Sequence, residues 1–211
     1  MFEVEYKGGN SVVLTSKKSQ LYVDPNLSVV GLKDVKVKDE VELLTETRLG
    51  VENAEAKLII DSPGEYEVGE FTIRGVAARR HIDTADQDKA ATIYHVETPE
   101  IRMAVIGNID PKLSEDQLEQ IGVVDVLVIP VGGGGYTLDA TSAATIVRQI
   151  EPKAVVPVHY ADSSLSYEVP QDTLETFTNE LGAPVETVAK LKFKSSSALP
   201  PLLTVYELTR S

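Results

Sequence analysis

Residues 126–160 constrain the fold more than any other stretch of this chain. They begin with VLVIPV, a continuous apolar run rich in β-branched residues, which is typical of a strand covered on both faces. Glycines at 132–135 follow and let the backbone turn where side chains would block it. Asp139 then predicts the N-cap of an amphipathic helix over the next eleven or so residues. The pattern predicts a strand, a glycine loop and a helix in direct succession.

The helix leads into a second buried strand that ends at a histidine. Ala154 to Val158 predicts this strand, and His159 and Tyr160 follow at its carboxyl end. Open α/β sheets place their ligand-binding groups at such strand ends. Asp24, in the Asp-Pro turn that ends the first strands, either reaches the same site or caps its own turn. We therefore expect a candidate site around His159.

Composition bounds the classes of protein that this chain can belong to. Its 211 residues suit one domain, 1–211, and the absence of a long apolar run or a basic leader predicts a cytoplasmic protein without a membrane span. A formal net charge of −13 argues against nucleic acid as a partner. The chain has no cysteine, which excludes thiolate metal ligands and a cysteine nucleophile. We expect the partner to be a small molecule or another protein.

Several motifs resemble the metallo-β-lactamase superfamily, and within it the ascorbate-6-phosphate-lactonase-like branch of zinc-dependent hydrolases. They lie in four stretches: residues 129–133 (IPVGG), 136–140 (YTLDA), 151–153 (EPK) and 157–160 (PVHY). The opening YKGGNSVVLTSKKSQLYVDPNL and the segment SPGEYEVGEFTIRGV extend the resemblance over nearly the whole chain. The resemblance implies an α/β (α+β) fold of four layers, an αββα sandwich, although fold alone does not give function.

The resemblance also implies a two-zinc centre, and here most of the ligands of that centre are missing. The family's T-H-x-H-x-D-H motif corresponds to Thr45–Val51, which reads TETRLGV and contains no histidine. Its H-x-G-D motif corresponds to Val105–Asn108, so Asn108 stands where the family has a bridging aspartate. His81 falls at a position where the family has a histidine. Zinc prefers three or four His, Asp, Glu or Cys ligands, so the motif no longer predicts a dinuclear site.

A reduced metal site is the alternative interpretation. The chain has three histidines, of which His95 lies within a predicted strand and is expected to be structural. The other two, with Asp83 and Asp24, could hold one zinc or manganese ion between His81 and His159. In that case the protein would be a hydrolase of a small ester, lactone or phosphoester.

Arg48 in the altered motif is open to two interpretations. Its permanent positive charge could stand in the former metal position and repel a cation, or it could pair with Glu46 or Asp61. We expect Arg48, Asn108, His81 and His159 to converge in one cavity, with His159 bonded to an acid or a carbonyl group. The leading hypothesis is a non-catalytic binding or structural relative of the lactonase-like hydrolases that holds no metal. The rivals are the single-metal hydrolase and a self-associating module that forms a homo-oligomer.

Overall fold

The fold was analysed in a computed structural model that describes residues 1–17, 19–52, 55–83 and 90–211. The sequence predicts strands at 71–77 and 90–97 with a polar loop between them, and this loop lies partly outside these ranges. The sequence also predicts a turn at 17–19, whose centre lies outside them. Two β-sheets and three α-helices make up the regular structure of the described residues.

The first sheet has six strands and is built mainly from the N-terminal part of the chain. Alternating side chains of its first strand are buried, as expected of a strand with one face toward the core. Neighbouring strands pair antiparallel at one side of the sheet and parallel at the other. In spatial order they are β13 (Leu191–Phe193), β1 (Phe2–Gly8), β2 (Ser11–Ser16), β3 (Ser19–Val23), β4 (Val41–Leu43) and β5 (Leu58–Ile60).

The second sheet has eight strands and contains the two apolar strands that flank the glycine loop. Both are buried along their whole length, because the sheet is covered on both faces where they lie. They pair parallel in register from Val126↔Ala154 to Pro130↔Val158. In spatial order the strands are β12 (Val185–Val188), β14 (Thr204–Leu208), β11 (Ala154–Val158), β10 (Val126–Pro130), β9 (Arg102–Val105), β8 (Ala91–Glu97), β7 (Phe71–Ala78) and β6 (Gly64–Val68).

The helices are α1 (Glu115–Ile121), α2 (Ala140–Ile150) and α3 (Leu174–Leu181). The prediction that Asp139 caps α2 is confirmed, since its Oδ1 accepts the backbone N–H of Ser142 at 2.7 Å. Ser114 caps α1 through a capping box with Gln117.

One core fills the space between the two sheets, and a second lies between the eight-stranded sheet and the helices. The first contains Phe2, Tyr94 and Phe193, and the second contains Ile129, Val147 and Phe177, all nearly inaccessible to solvent. The outer face of the six-stranded sheet carries partly exposed polar residues on β1, such as Glu3 and Glu5. The predicted mixed α/β, metallo-β-lactamase-like fold class is confirmed.

Two element predictions are corrected by the structure. The sequence at 185–193 predicts one closing strand, but these residues form β12 and β13, which belong to different sheets. Pro170 predicts the start of a helix that Gly182 ends, but α3 begins at Leu174. The backbone of Asp172 is instead bonded to the glycine loop and to the end of β11, through Gly132 O and Ala161 N. These tertiary hydrogen bonds override the local helical pattern.

The predicted strand over 41–47 is also shorter in the structure. β4 ends at Leu43, and Thr47–Leu49 forms a short 3₁₀ turn that carries Arg48 toward the sheet end. Among the helices that the structure describes, none is long and apolar enough to cross a membrane.

Candidate functional site

A small cavity lies at the strand ends that the sequence singled out. Residues that follow β3, β4, β9 and β11 line one side of it, and the segment 161–173 closes it. That segment is bonded across the cavity through Ser166 N to Val30 O, 2.9 Å. The space inside it is about 30 Å³, which is room for about two water molecules, and the cavity is partly open to solvent.

The structure brings together four of the six residues predicted to form the site. Asp24, Arg48, Asn108 and His159 all line the cavity. Tyr160 instead stacks on Tyr6, with ring centroids 6.1 Å apart, and lies outside the cavity lining. His81 is also outside the lining, although its backbone N–H donates to the carbonyl of Asn108.

Arg48 forms a forked pair with Glu46 at the cavity wall. Its Nε and Nη2 donate to the two carboxylate oxygens of Glu46 at 2.9 and 3.3 Å. Asn108 Nδ2 donates to the same carboxylate at 3.1 Å. The Glu46 side chain is only 3% exposed, whereas that of Arg48 is 35% exposed. Of the two interpretations of Arg48, pairing with Glu46 is therefore confirmed; Arg48 lines the cavity, and Glu46 is not among the lining residues.

His159 is held between two tyrosines and an asparagine. Tyr136 and Tyr167 lie near its ring, with centroids 5.8 and 4.8 Å away. Its Nδ1 lies 3.0 Å from Asn10 Oδ1, so it bonds to a carbonyl oxygen as predicted. Burial first, and then the positive charge of Arg48, lower the pKa of His159 to about 4. At neutral pH the ring is uncharged.

The carboxyl group of Asp24 is buried and is hydrogen-bonded to Thr45, the residue before Glu46. Thr45 donates to it twice, from its backbone N–H at 2.8 Å and from its hydroxyl at 2.6 Å. Burial raises the pKa of Asp24 to about 8, because the apolar surroundings disfavour the carboxylate. Asp24 and His159 have positive backbone φ angles of 46° and 51°, which residues other than glycine rarely adopt. Strained backbone of this kind is concentrated at functional sites in proteins.

These residues do not fit a metal ion. Within the described ranges, no group of three or more His, Asp or Glu side chains is placed to hold one. Asp83, a predicted ligand, is paired with Arg80 at 2.7 Å, and His81 Nδ1 faces Ile109 O at 3.3 Å. Both oxygens of Glu46 are already bonded to Arg48, whose positive charge opposes a cation at this wall.

Two side-chain acceptors at the cavity have no protein partner among the described residues. They are Asn108 Oδ1 and Gln171 Oε1, both shielded from solvent. Buried acceptors usually find a partner, and water molecules in the cavity could supply it. Glu46, Asn10, Tyr136, Tyr167 and Gln171 were not predicted as site residues. Asn10 and Tyr136 lie within motifs that carry the family resemblance, whereas nothing in the local sequence pattern around Tyr167 and Gln171 indicates their place in the cavity.

Two mixed sheets packed face to face, with a cavity at the ends of parallel strands, place the chain in the metallo-β-lactamase fold class. The family model described as Beta-lactamase superfamily domain matches residues 3–159. The chain therefore belongs to the beta-lactamase superfamily. A comparison with curated protein sequences finds no match.

Solved structures show the same fold at low sequence identity. A proposed zinc-dependent hydrolase of the metallo-beta-lactamase superfamily from Thermotoga maritima has a TM-score of 0.79 and 21% identity, covering 99% of this chain and 100% of that one. A metallo hydrolase from Ignicoccus hospitalis has a TM-score of 0.66 and 15% identity, covering 92% and 99%. An isothiocyanate hydrolase from Delia radicum gut bacteria has a TM-score of 0.63 and 12% identity, covering 92% and 99%.

The titration of Asp24 gives a pH dependence that can be measured. Its folded pKa is about 8 and its unfolded value is 3.8, so between these values the folded protein binds a proton that the unfolded chain releases. Stability therefore falls as pH rises. We expect a loss of about 2 kcal/mol between pH 6.5 and 9 relative to Asp24→Asn, which stays neutral and keeps the shape of the side chain. His159 affects stability at lower pH: because its pKa is lowered from 6.5 to about 4, the protein loses stability as the pH falls below about 6.5, and Asp24 is measured above that range.

Urea unfolding of both proteins across this pH range measures the difference. All other titratable groups are present in both proteins, so the comparison with Asp24→Asn removes their contribution to the pH dependence of stability. Parallel pH profiles for the two proteins would contradict a protonated Asp24.

Proposed function

We propose that this chain is a member of the superfamily in which hydrogen bonds between protein groups replace the metal centre, and that it acts by binding and not by metal-dependent hydrolysis. The observation that carries the proposal is the contact of Arg48 and Asn108 with the carboxylate of Glu46. This arrangement satisfies a buried negative charge with protein groups, without a metal ion. A metal ion entering here would have to displace the guanidinium.

The size of the cavity supports the same conclusion. Sites for small molecules usually enclose about 300–1,000 Å³. The cavity here is about 30 Å³, and Tyr167 and Gln171 of the closing segment are among the residues that line it. Binding of a small molecule in the cavity would require this segment to move. A protein partner could instead contact its outer surface.

Charge balance around the cavity also supports a site without metal. The Arg48–Glu46 pair is neutral as a unit, and His159 and Asp24 are uncharged at neutral pH because of their shifted pKa values. The remaining carboxylate in the cavity lining is Glu168, which is exposed to solvent, and a single exposed carboxylate is a weak site for a divalent cation. We also propose that the chain is related to the lactonase-like branch, and the motifs at 129–133 and 157–160 support this. We propose a cytoplasmic location.

Metal analysis tests the proposal directly. The protein is expressed with excess zinc or manganese, dialysed and analysed for bound metal by mass spectrometry. We expect well under one ion per chain, because among the described residues no three ligand side chains are placed to bind the same ion. Two tightly bound ions per chain would contradict the proposal.

The rival interpretation is a single-metal hydrolase, and the description of the neighbours as metal-dependent hydrolases favours it. It predicts metal-dependent turnover of a p-nitrophenyl ester, a lactone or a phosphate monoester, and loss of this turnover in His159→Ala. His95→Ala is the matched control, since His95 lies on β8 outside the cavity and contacts Val123 O. Turnover that depends on His159 and on added metal, but not on His95, would establish the rival.

A further inference from the structure

The four edge strands of the two sheets are not equally protected. An exposed row of backbone groups at a sheet edge can pair with another chain, and proteins commonly block it with charged side chains. Three of the edges have such a side chain within the strand, and β5 does not. The charged residues are Lys192 on β13, Glu186 on β12, and Glu65 and Glu67 on β6.

β5 presents apolar side chains to solvent instead. Its three residues are Leu58, Ile59 and Ile60, and β4 is its single neighbour in the described sheet. Leu58 is 42% exposed and Ile59 is 48% exposed, while Ile60 is buried in the core. Two adjacent exposed aliphatic residues on an open edge are typical of a surface where a further strand can be added.

The residues around β5 are complementary to themselves. The segment reads Lys57-Leu-Ile-Ile-Asp61, with a cation at one end and an anion at the other. If two copies pair antiparallel about Ile59, Lys57 of each copy lies opposite Asp61 of the other, because 57 and 61 are equally distant from 59. Side chains at 57, 59 and 61 share one face of the strand, so the pair Ile59–Ile59 lies between the two ion pairs.

We infer that two copies of this chain associate through β5, in antiparallel register about Ile59, and join their six-stranded sheets into one continuous sheet. The charges single out a second copy as the partner, since the same five residues supply both halves of each ion pair. Among the described residues, neither Lys57 nor Asp61 forms an ion pair within its own chain, and both are exposed, so their side chains are open to this contact, although the backbone N–H of Lys57 is bonded to Glu40 O. This inference does not depend on the proposed function of the cavity.

The contact is small, and the association is expected to be weak. Stable dimers bury well over 1,000 Å² in total, which a five-residue edge does not provide by itself. The net charge of −13 on each copy also opposes association. We therefore expect a dimer that forms at micromolar or higher concentration.

Disulfide trapping tests the register. The chain has no cysteine, so any cross-link in Ile59→Cys must come from the introduced residue. In the proposed register the two Cα atoms at 59 are about 4.5–5.5 Å apart, within the range that a disulfide spans. Under mild oxidation we expect Ile59→Cys to dimerise at least about tenfold faster than Leu202→Cys, because association raises the local thiol concentration. Leu202 is the matched control, since it is an apolar residue, 71% exposed, away from β5.

Charge reversal tests the ion pairs independently of any cysteine. Lys57→Asp and Asp61→Lys each place like charges opposite one another at both ends of the contact. Each single variant is expected to raise the dimer dissociation constant about five- to tenfold. The double variant Lys57→Asp/Asp61→Lys restores opposite charges and should return to within about twofold of the original value.

Sedimentation equilibrium up to several hundred micromolar measures these constants, and circular dichroism shows that each variant is folded. Three results would overturn the inference: a monomer at all concentrations, cross-linking of Ile59→Cys no faster than that of Leu202→Cys, or a double variant as weak as the single ones. A monomer would overturn it even if the β5 edge were found to bind a strand of a different protein.

Discussion

Replacing Gly132 by alanine is expected to destabilise the protein by about 3 kcal/mol or more, because the new methyl group has no room. A Cβ at this position would lie 2.2 Å from the carbonyl oxygen of His159 and 2.4 Å from Gln171 Oε1. The side chain of Gln171 can rotate away, but the backbone of His159 is fixed by β11 and by its N–H bond to Gly9 O. The glycine loop or the strand end must therefore shift. Urea unfolding followed by circular dichroism measures the loss.

Gly135→Ala is the matched control in the same loop. A Cβ there meets no atom within 4 Å, so only the positive φ of 72° opposes the substitution. Its cost should be about 1 kcal/mol. Equal losses at the two positions would show that loop conformation, and not the close approach to His159, determines the effect. The first substitution should also disturb the cavity, since Gln171 lines it.

The strand ends of the site could be predicted from sequence because they follow local patterns. The apolar runs at 126–131 and 154–158, the glycines between them and the cap at Asp139 all read directly as elements of the fold. His159 follows from the end of such a run. Arg48 and Asn108 were predicted as site residues because they fall in motifs that hold metal ligands in the resembled family, and hydrophobic periodicity gave no indication of them.

The closing side of the cavity could not be predicted in the same way. Tyr167 and Gln171 lie in a segment without periodic apolar residues, and their place depends on bonds between distant parts of the chain. The same segment contains Pro170, which predicted a helix start that the structure does not have. His81 was expected to reach the cavity, but its ring turns toward Ile109 O, a contact that no local pattern encodes. Long-range hydrogen bonds account for each of these differences.

The cavity has strained backbone although its side chains do not suit a metal. Asp24 and His159 both retain positive φ at strand ends. Such conformations cost of order 1 kcal/mol or more and persist where the surrounding structure holds them. Here Thr45 holds Asp24, while Gly9 and Asn10 hold His159. The polar network thus stabilises a backbone geometry whose original purpose, on our proposal, was to present metal ligands.

Arg48→Ala is expected to destabilise the protein by about 2–3 kcal/mol, because it leaves the buried carboxylate of Glu46 with Asn108 as its main remaining donor. The estimate is below the full cost of breaking a buried pair, since Arg48 is partly exposed and water can replace part of its contact. Arg48 also packs over the ring of Tyr136, 5.2 Å from its centroid, and that contact is lost as well. Arg148→Ala is the control: its 3.8 Å pair with the Glu180 carboxylate and its 2.8 Å hydrogen bond to the Glu180 carbonyl are both exposed to solvent, so the loss should be about 1 kcal/mol or less.

A double-mutant cycle separates the ion pair from the other contacts of Arg48. Glu46→Gln removes the negative charge, so adding Arg48→Ala to it should cost about 1–2 kcal/mol less than Arg48→Ala alone. The same variants test whether the guanidinium merely blocks a metal site that is otherwise intact. If the donor set itself is lacking, as the bonded states of Asp24 and His159 indicate, Arg48→Ala will gain no tight binding of zinc or manganese in calorimetric titration. Stoichiometric metal uptake by Arg48→Ala, without loss of stability, would mean that Arg48 occludes a working site and that the network does not replace one.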